Sequence, residues 1–217
     1  MRRFLILGLA ALIAGYGFTY LQMPARSAAF VQASDAFPPP PTRKRQARDR
    51  DAQKVEAIFA SIETRSGTAE EPGPKYKISE SELNAYLAAL VEKENVKSVE
   101  ALFVKLRSGS FSTYAVVNVD NVSKKDKDAA TRILMQTILA GRQYLSADGS
   151  LEARDGLGQY TLTSARINEV EIPTPIVNSL INTVGKRQNP PFDLSKPFKL
   201  PYGIRVAEIK AGYLEVS

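Results

Sequence analysis

From Phe4 to Leu21 the chain runs eighteen residues without a charge, directly behind Arg2 and Arg3. An apolar run of that length cannot sit on the surface of a folded domain, and basic residues in front of it favour insertion with the N-terminus inside and the remainder outside. The rest of the chain is therefore expected in a periplasmic or extracellular space. Residues 1–24 read as a transmembrane anchor or a signal segment, since the run is short for a spanning helix and long for a signal-peptide core. Ser27-Ala28-Ala29 offers a small-residue cleavage site, in which case the protein is secreted. Gly8, Gly15 and Gly17, which membrane helices tolerate, and Tyr16 and Tyr20, placed where an interfacial aromatic belt lies, favour a retained anchor.

Residues 25–50 form a Pro-rich basic linker. Pro38 to Pro41 is a semi-rigid polyproline spacer, and Arg43, Lys44, Arg45, Arg48 and Arg50 follow it as a basic collar. Two readings of the collar stand: a membrane-surface patch that meets anionic headgroups, and a solvated linker.

The chain has no Cys and no His. Thiol nucleophiles, His-based triads, His or Cys metal sites and disulfides are thereby excluded, and no cofactor is expected. The net charge of +6 looks like a nucleic-acid footprint until it is divided along the chain. Residues 1–50 carry eight Lys and Arg against two Asp, whereas residues 51–217 carry twenty-one basic and twenty-one acidic residues. The folded part is neutral, so no nucleic-acid partner is expected.

Residues 51–217 read as one extracytoplasmic α+β domain. Val55, Ile58, Phe59 and Ile62 make the stripe of an amphipathic helix over Arg48–Thr64, which packs on the domain in preference to the membrane because its polar face mixes Lys54 with Glu56 and Glu63. In Ile78-Ser79-Glu80-Ser81-Glu82-Leu83, Ser79 caps a helix, Glu82 completes a capping box and Ile78 staples onto Leu83. The period then changes to two: Leu102, Val104 and Leu106 alternate with polar neighbours, and a hairpin turns at Ser108-Gly109-Ser110 into Ser110–Asp120. A second helix is predicted over Lys125–Leu139, strands over Gln143–Ala153 and Gln159–Val170, a helix over Pro173–Val184, and a last hairpin over Ile204–Lys210 and Tyr213–Val216. The fold class is thus α+β, a curved antiparallel meander sheet packed by amphipathic helices and preceded by one N-terminal transmembrane or signal helix.

Candidate chemistry is sparse. Gly156-Leu157-Gly158 lacks the third glycine of a nucleotide loop and reads as a hairpin turn. Asp148, Glu152 and Asp155 cluster near hairpin ends, where solvated turn charges are commoner than the carboxylate pair of a glycosidase. No G-x-S-x-G or S-x-x-K occurs, so no catalytic residue is assigned and an enzyme is not expected. Asn121-Val122-Ser123 is a formal glycosylation acceptor. The apolar stripes carry the remaining hypothesis. Leu83, Leu87 and Leu90 from one helix, Ile133, Leu134 and Ile138 from the next, and Ile176 and Leu180 from the third are the side chains available to line a ligand groove, and the same side chains serve equally as a filled core.

The order of pieces also carries a resemblance. Ile78-Ser79-Glu80-Ser81-Glu82-Leu83-Asn84-Ala85-Tyr86-Leu87, then Gly156-Leu157-Gly158-Gln159-Tyr160-Thr161-Leu162, Val170-Glu171-Ile172-Pro173-Thr174-Pro175-Ile176-Val177 and Leu200-Pro201-Tyr202-Gly203-Ile204 together resemble the YpmS-type and LmeA-type families of membrane-anchored bacterial envelope proteins. The resemblance covers residues 75–217. It implies an architecture related to tubular lipid-binding domains, with a curved sheet and helices around an apolar groove. The expectation is a non-catalytic domain that binds or passes a membrane lipid or other hydrophobic ligand. The rival expectation is a packed module for envelope assembly that binds another envelope protein and no ligand.

Overall fold

The computed structural model describes residues 37–41, 44–66, 73–95, 99–118, 141–168, 170–175, 177–178, 182, 193 and 196–217. The N-terminal run, the predicted helix over 125–139 and half of that over 173–184 lie outside them. Among the described residues no helix is long and apolar enough to cross a membrane.

Helix α1 spans Arg45–Ser66 and begins three residues ahead of the expected start at Arg48, because the Lys44 carbonyl accepts from the Ala47 and Arg48 amides and starts the first turn there. The last residues of the basic linker are therefore helical. Its stripe, Ala52, Val55, Phe59 and Ile62, is buried on the domain.

Strand β1 (Tyr76–Ser79) runs directly into helix α2 (Glu80–Lys93). The predicted capping box makes the junction: Ser79 Oγ accepts from the Glu82 amide, and Glu82 Oε2 accepts from the Ser79 amide at 2.8 Å. Burial pushes the Glu82 carboxyl up, but the hydrogen bonds from Lys54 and Ser79 outweigh it and hold it below the usual range.

The remaining strands are β2 (Val99–Arg107), β3 (Ser110–Asn118), β4 (Arg142–Arg154), β5 (Leu157–Ile167), β6 (Val170–Glu171), β7 (Phe198–Lys199), β8 (Ala207–Lys210) and β9 (Tyr213–Val216). All pairs are antiparallel in one sheet of order β1-β9-β8-β4-β3-β2, with β5 on β4 and the short β6 and β7 at the two ends of β5. The sheet curls into a half-barrel with the two helices packed on it.

The curl follows from β4. Its first part pairs with β3 up to Gly149, and its last part bridges β8 through Ala153 and Ala207. The β4–β5 register shifts between Asp148 and Gly149, where a bulge bends the strand. Only glycine fits there, since a Cβ on Gly149 would lie 2.7 Å from the Thr161 carbonyl oxygen and 2.9 Å from the Tyr160 ring. The β4–β5 hairpin turns through Asp155 and Gly156, both at positive φ, as a two-residue turn of the twisted kind requires. The tips of two other hairpins lock together, Gly109 N–H on the Ile209 carbonyl and Gly212 N–H on that of Leu106.

The concave face is apolar. Leu102, Val104, Leu106, Ala115, Val117, Leu145 and Ile209 pack under Leu87 of α2. A second cluster joins α1 to the other side of α2 and the C-terminal strands through Val55, Phe59, Ile62, Ile78, Tyr86, Leu200, Ile204 and Val216. Its centre is aromatic: Phe59 stacks on Tyr202 at 4.7 Å, and the Tyr202 hydroxyl meets that of Tyr86 at 2.9 Å. Burial and this bond push the Tyr86 phenol up. Tyr202 holds φ +58, a left-handed conformation that a bulky side chain rarely adopts unless packing over-determines it.

Candidate functional site: a cleft at the α2–β2 seam

Among the described residues strand β2 is one edge of the sheet, and its backbone would be exposed if α2 did not reach across. Asn84, buried in mid-helix, donates Nδ2–H to the Val104 carbonyl at 2.9 Å and accepts the Val104 amide on Oδ1 at 2.7 Å. One turn earlier, Glu80 Oε2 accepts the Leu106 amide at 2.8 Å. Two helix side chains thus stand in for a neighbouring strand.

Beyond that seam, toward the C-terminal end of α2 and the start of β2, a cleft of about 380 Å³ opens. Its floor is Ala88 and Val91 from α2 and Val99, Ala101 and Leu102 from β2. Val99 and Leu102 belong to the concave cluster, so the floor adjoins the apolar interior. The rim is polar: Arg48 from the second turn of α1, Glu92, Asn95 and Glu100. Asn95 ends the helix at φ +51, in the left-handed conformation that Asn tolerates, and its amide donates to the Glu92 carbonyl at 3.1 Å.

Charge at the rim is balanced. Arg48 Nη2 meets Glu92 Oε1 at 2.8 Å, and Glu100 is held by Arg142 at 2.6 Å and by the Asn118 amide at 3.2 Å. Arg48 Nε, however, is buried without a hydrogen-bond partner and lies 3.8 Å from Asp49 Oδ1. The cleft can hold an apolar body against its floor and offer a cationic donor at its lip.

The predicted groove residues fall differently. Leu87 faces the concave sheet, Leu83 packs against both clusters, and Leu90 turns toward α1. Leu87 is buried, Leu83 and Leu90 are partly buried, and none of them lines the cleft. Ile133, Leu134, Ile138, Ile176 and Leu180 lie outside the described residues. Of the membrane-surface collar, Lys44, Arg45 and Arg50 are exposed, Arg48 is turned to Glu92, and Arg43 lies outside the described residues. Sequence reasoning missed Ala88, Val91, Asn95 and Ala101 as lining residues. The one signal was the break at Glu94-Asn95, where a helical period gives way to a strand period.

The three hairpin carboxylates occupy different places on the β4–β5 hairpin. Glu152 is four positions from Asp148 along β4, at most about 13 Å along an extended strand, and Asp155 lies beyond the strand in the hairpin turn. Asp148 instead accepts the hydroxyls of Ser112 and Ser164, with Arg107 at 3.9 Å, tying β3, β4 and β5 across the bend. Burial pushes its carboxyl up, but the two hydroxyls and the Arg107 and Arg166 charges hold it below the ordinary value. It is an ionised acceptor with no proton to give. Among the described residues no group of His, Cys, Asp or Glu is placed to hold a metal.

On the convex face Phe37, at the head of the polyproline run, sits edge-on to Phe103, Tyr114 and Tyr144 at 5.9, 5.4 and 5.0 Å. The stalk is docked on the sheet at that point.

Compared with known proteins, the chain matches no family model, no curated protein and no solved structure.

Proposed function

We propose that the protein is a membrane-tethered extracytoplasmic domain that binds or passes a lipid or other hydrophobic ligand without catalysing its conversion, and that the α2–β2 cleft is the mouth through which the ligand engages. One observation carries this: the cleft has an apolar floor continuous with the concave core and sits where the Asn84 and Glu80 bonds to the edge strand have ended. Its volume lies within the range of small-molecule sites. The uncharged N-terminal run supports the tether, and the motif order shared with the YpmS-type and LmeA-type families is consistent with a lipid-handling role.

A second reading, a packed envelope-assembly module, is favoured by the filling of the concave face, where Ala115 and Val117 are fully enclosed. Native mass spectrometry of the full chain released from detergent separates the two. The lipid reading expects a stoichiometric adduct in the wild type that is lost in Ala88→Trp, a variant that fills the cleft while leaving the core untouched. Wild-type protein free of adduct, before and after incubation with a fatty acid, would sink it and leave the module.

A further inference from the structure

We propose that the ligand is a single-chain amphiphile with an oxyanion headgroup, a carboxylate or a phosphate, and that the Arg48 guanidinium is the group that binds the head; this rests on the lipid reading above. The orphaned Nε carries the argument. A guanidinium presents its N–H donors in a planar fork that matches two oxygens of one oxyanion, and a buried charged donor is rarely left without an acceptor. Here Nη2 is committed to Glu92, while Nε makes no hydrogen bond and has only the Asp49 carboxylate at 3.8 Å.

Position and charge agree with the assignment. Arg48 lines the cleft together with Val91 and Leu102, so an anion held at its fork leaves the attached chain on the apolar floor. Three carboxylates face it: Glu100 is engaged with Arg142, Glu92 with Arg48 itself, and Asp49 Oδ1 stands 3.8 Å from Nε, beyond hydrogen-bond reach. An incoming oxyanion adds to Glu92 at the fork or takes its place. A cleft of about 380 Å³, near the lower end for ligand sites, suits one acyl chain better than a two-chain lipid.

The full chain in phosphatidylcholine nanodiscs, labelled with photoreactive palmitic acid or the matching palmityl alcohol, tests this by mapping of crosslinked peptides. The acid is expected to label the peptides holding Val91 and Leu102 about tenfold more than the alcohol, the size of one charge-assisted pair. Arg48→Gln is expected to bring acid labelling down to the alcohol level. Glu92→Gln breaks the same ion pair but frees the fork, so it is expected to raise acid labelling.

Equal losses in both variants, each with an unchanged melting temperature, would make the pair a structural tie and overturn the headgroup assignment. Equal acid and alcohol labelling that Ala88→Trp abolishes would also overturn it while keeping the lipid cleft. Absence of cleft labelling by either probe removes both proposals. Inorganic phosphate that shields Arg48 from phenylglyoxal as well as palmitate does would identify a free-anion site and overturn the amphiphile.

Discussion

The carboxamide of Asn84 satisfies both backbone groups of Val104, so a helix side chain completes the hydrogen bonding of an edge strand. Asn84→Ala leaves a buried N–H and a buried carbonyl unpaired, and its expected cost is about 2–6 kcal/mol, since each orphaned group costs about 1–3. Urea denaturation of the full chain measures it. A loss near zero would mean that water enters the seam and replaces the amide.

Thr113 supplies the opposite case. It is 1% exposed, and its hydroxyl has no hydrogen-bond partner. Thr113→Val keeps the shape and removes the stranded hydroxyl, so it is expected to stabilise by about 1 kcal/mol, read as a rise in melting temperature. A fall would show that a partner reaches this hydroxyl in solution.

The bend in β4 depends on Gly149. Gly149→Ala drives a methyl into the Thr161 carbonyl and the Tyr160 ring, with an expected loss of about 1–3 kcal/mol from overpacking. Gly212, whose Cβ would meet nothing within 4 Å but whose φ is +79, is the comparison: Gly212→Asn, which tolerates that φ, is expected to cost far less than Gly149→Ala. Equal losses would show that the bulge is not closely packed.

Asp148 gives the fold an acid-side pH dependence. Its carboxyl is held below the ordinary value in the folded chain, so its stabilisation is complete above about pH 4 and is lost as pH falls through the lower folded value. Denaturation curves of wild type and Asp148→Asn are expected to converge as pH falls below about 4. A gap between them that does not depend on pH would assign the cluster to geometry alone.

What was legible in the sequence was local. Ser79 and Glu82 announce the start of α2 three residues apart, Asp155-Gly156 announces a hairpin, and the alternation of Leu102, Val104 and Leu106 gives the face of β2. The cleft was not legible, because its lining is assembled from α1, α2 and β2, and no contiguous pattern encodes where Arg48 crosses Glu92. Asn84 was equally silent: beside an apolar stripe it reads as an indifferent helix residue, and only β2 on the other side gives its amide a purpose. The stripe of Leu83, Leu87 and Leu90 was found correctly as apolar, but periodicity does not say which of two partners each leucine faces.

The seating of Phe37 on the convex face shortens the leash. Between Leu21 and Phe37 only fifteen residues intervene, a reach of about 50 Å fully extended, against twenty-three to the start of α1. Under the proposed anchor over residues 1–24, a domain held at Leu21 works within a thin shell above the bilayer. Undocking the four-ring cluster would lengthen its radius of action by about 27 Å without altering a single residue of the cleft.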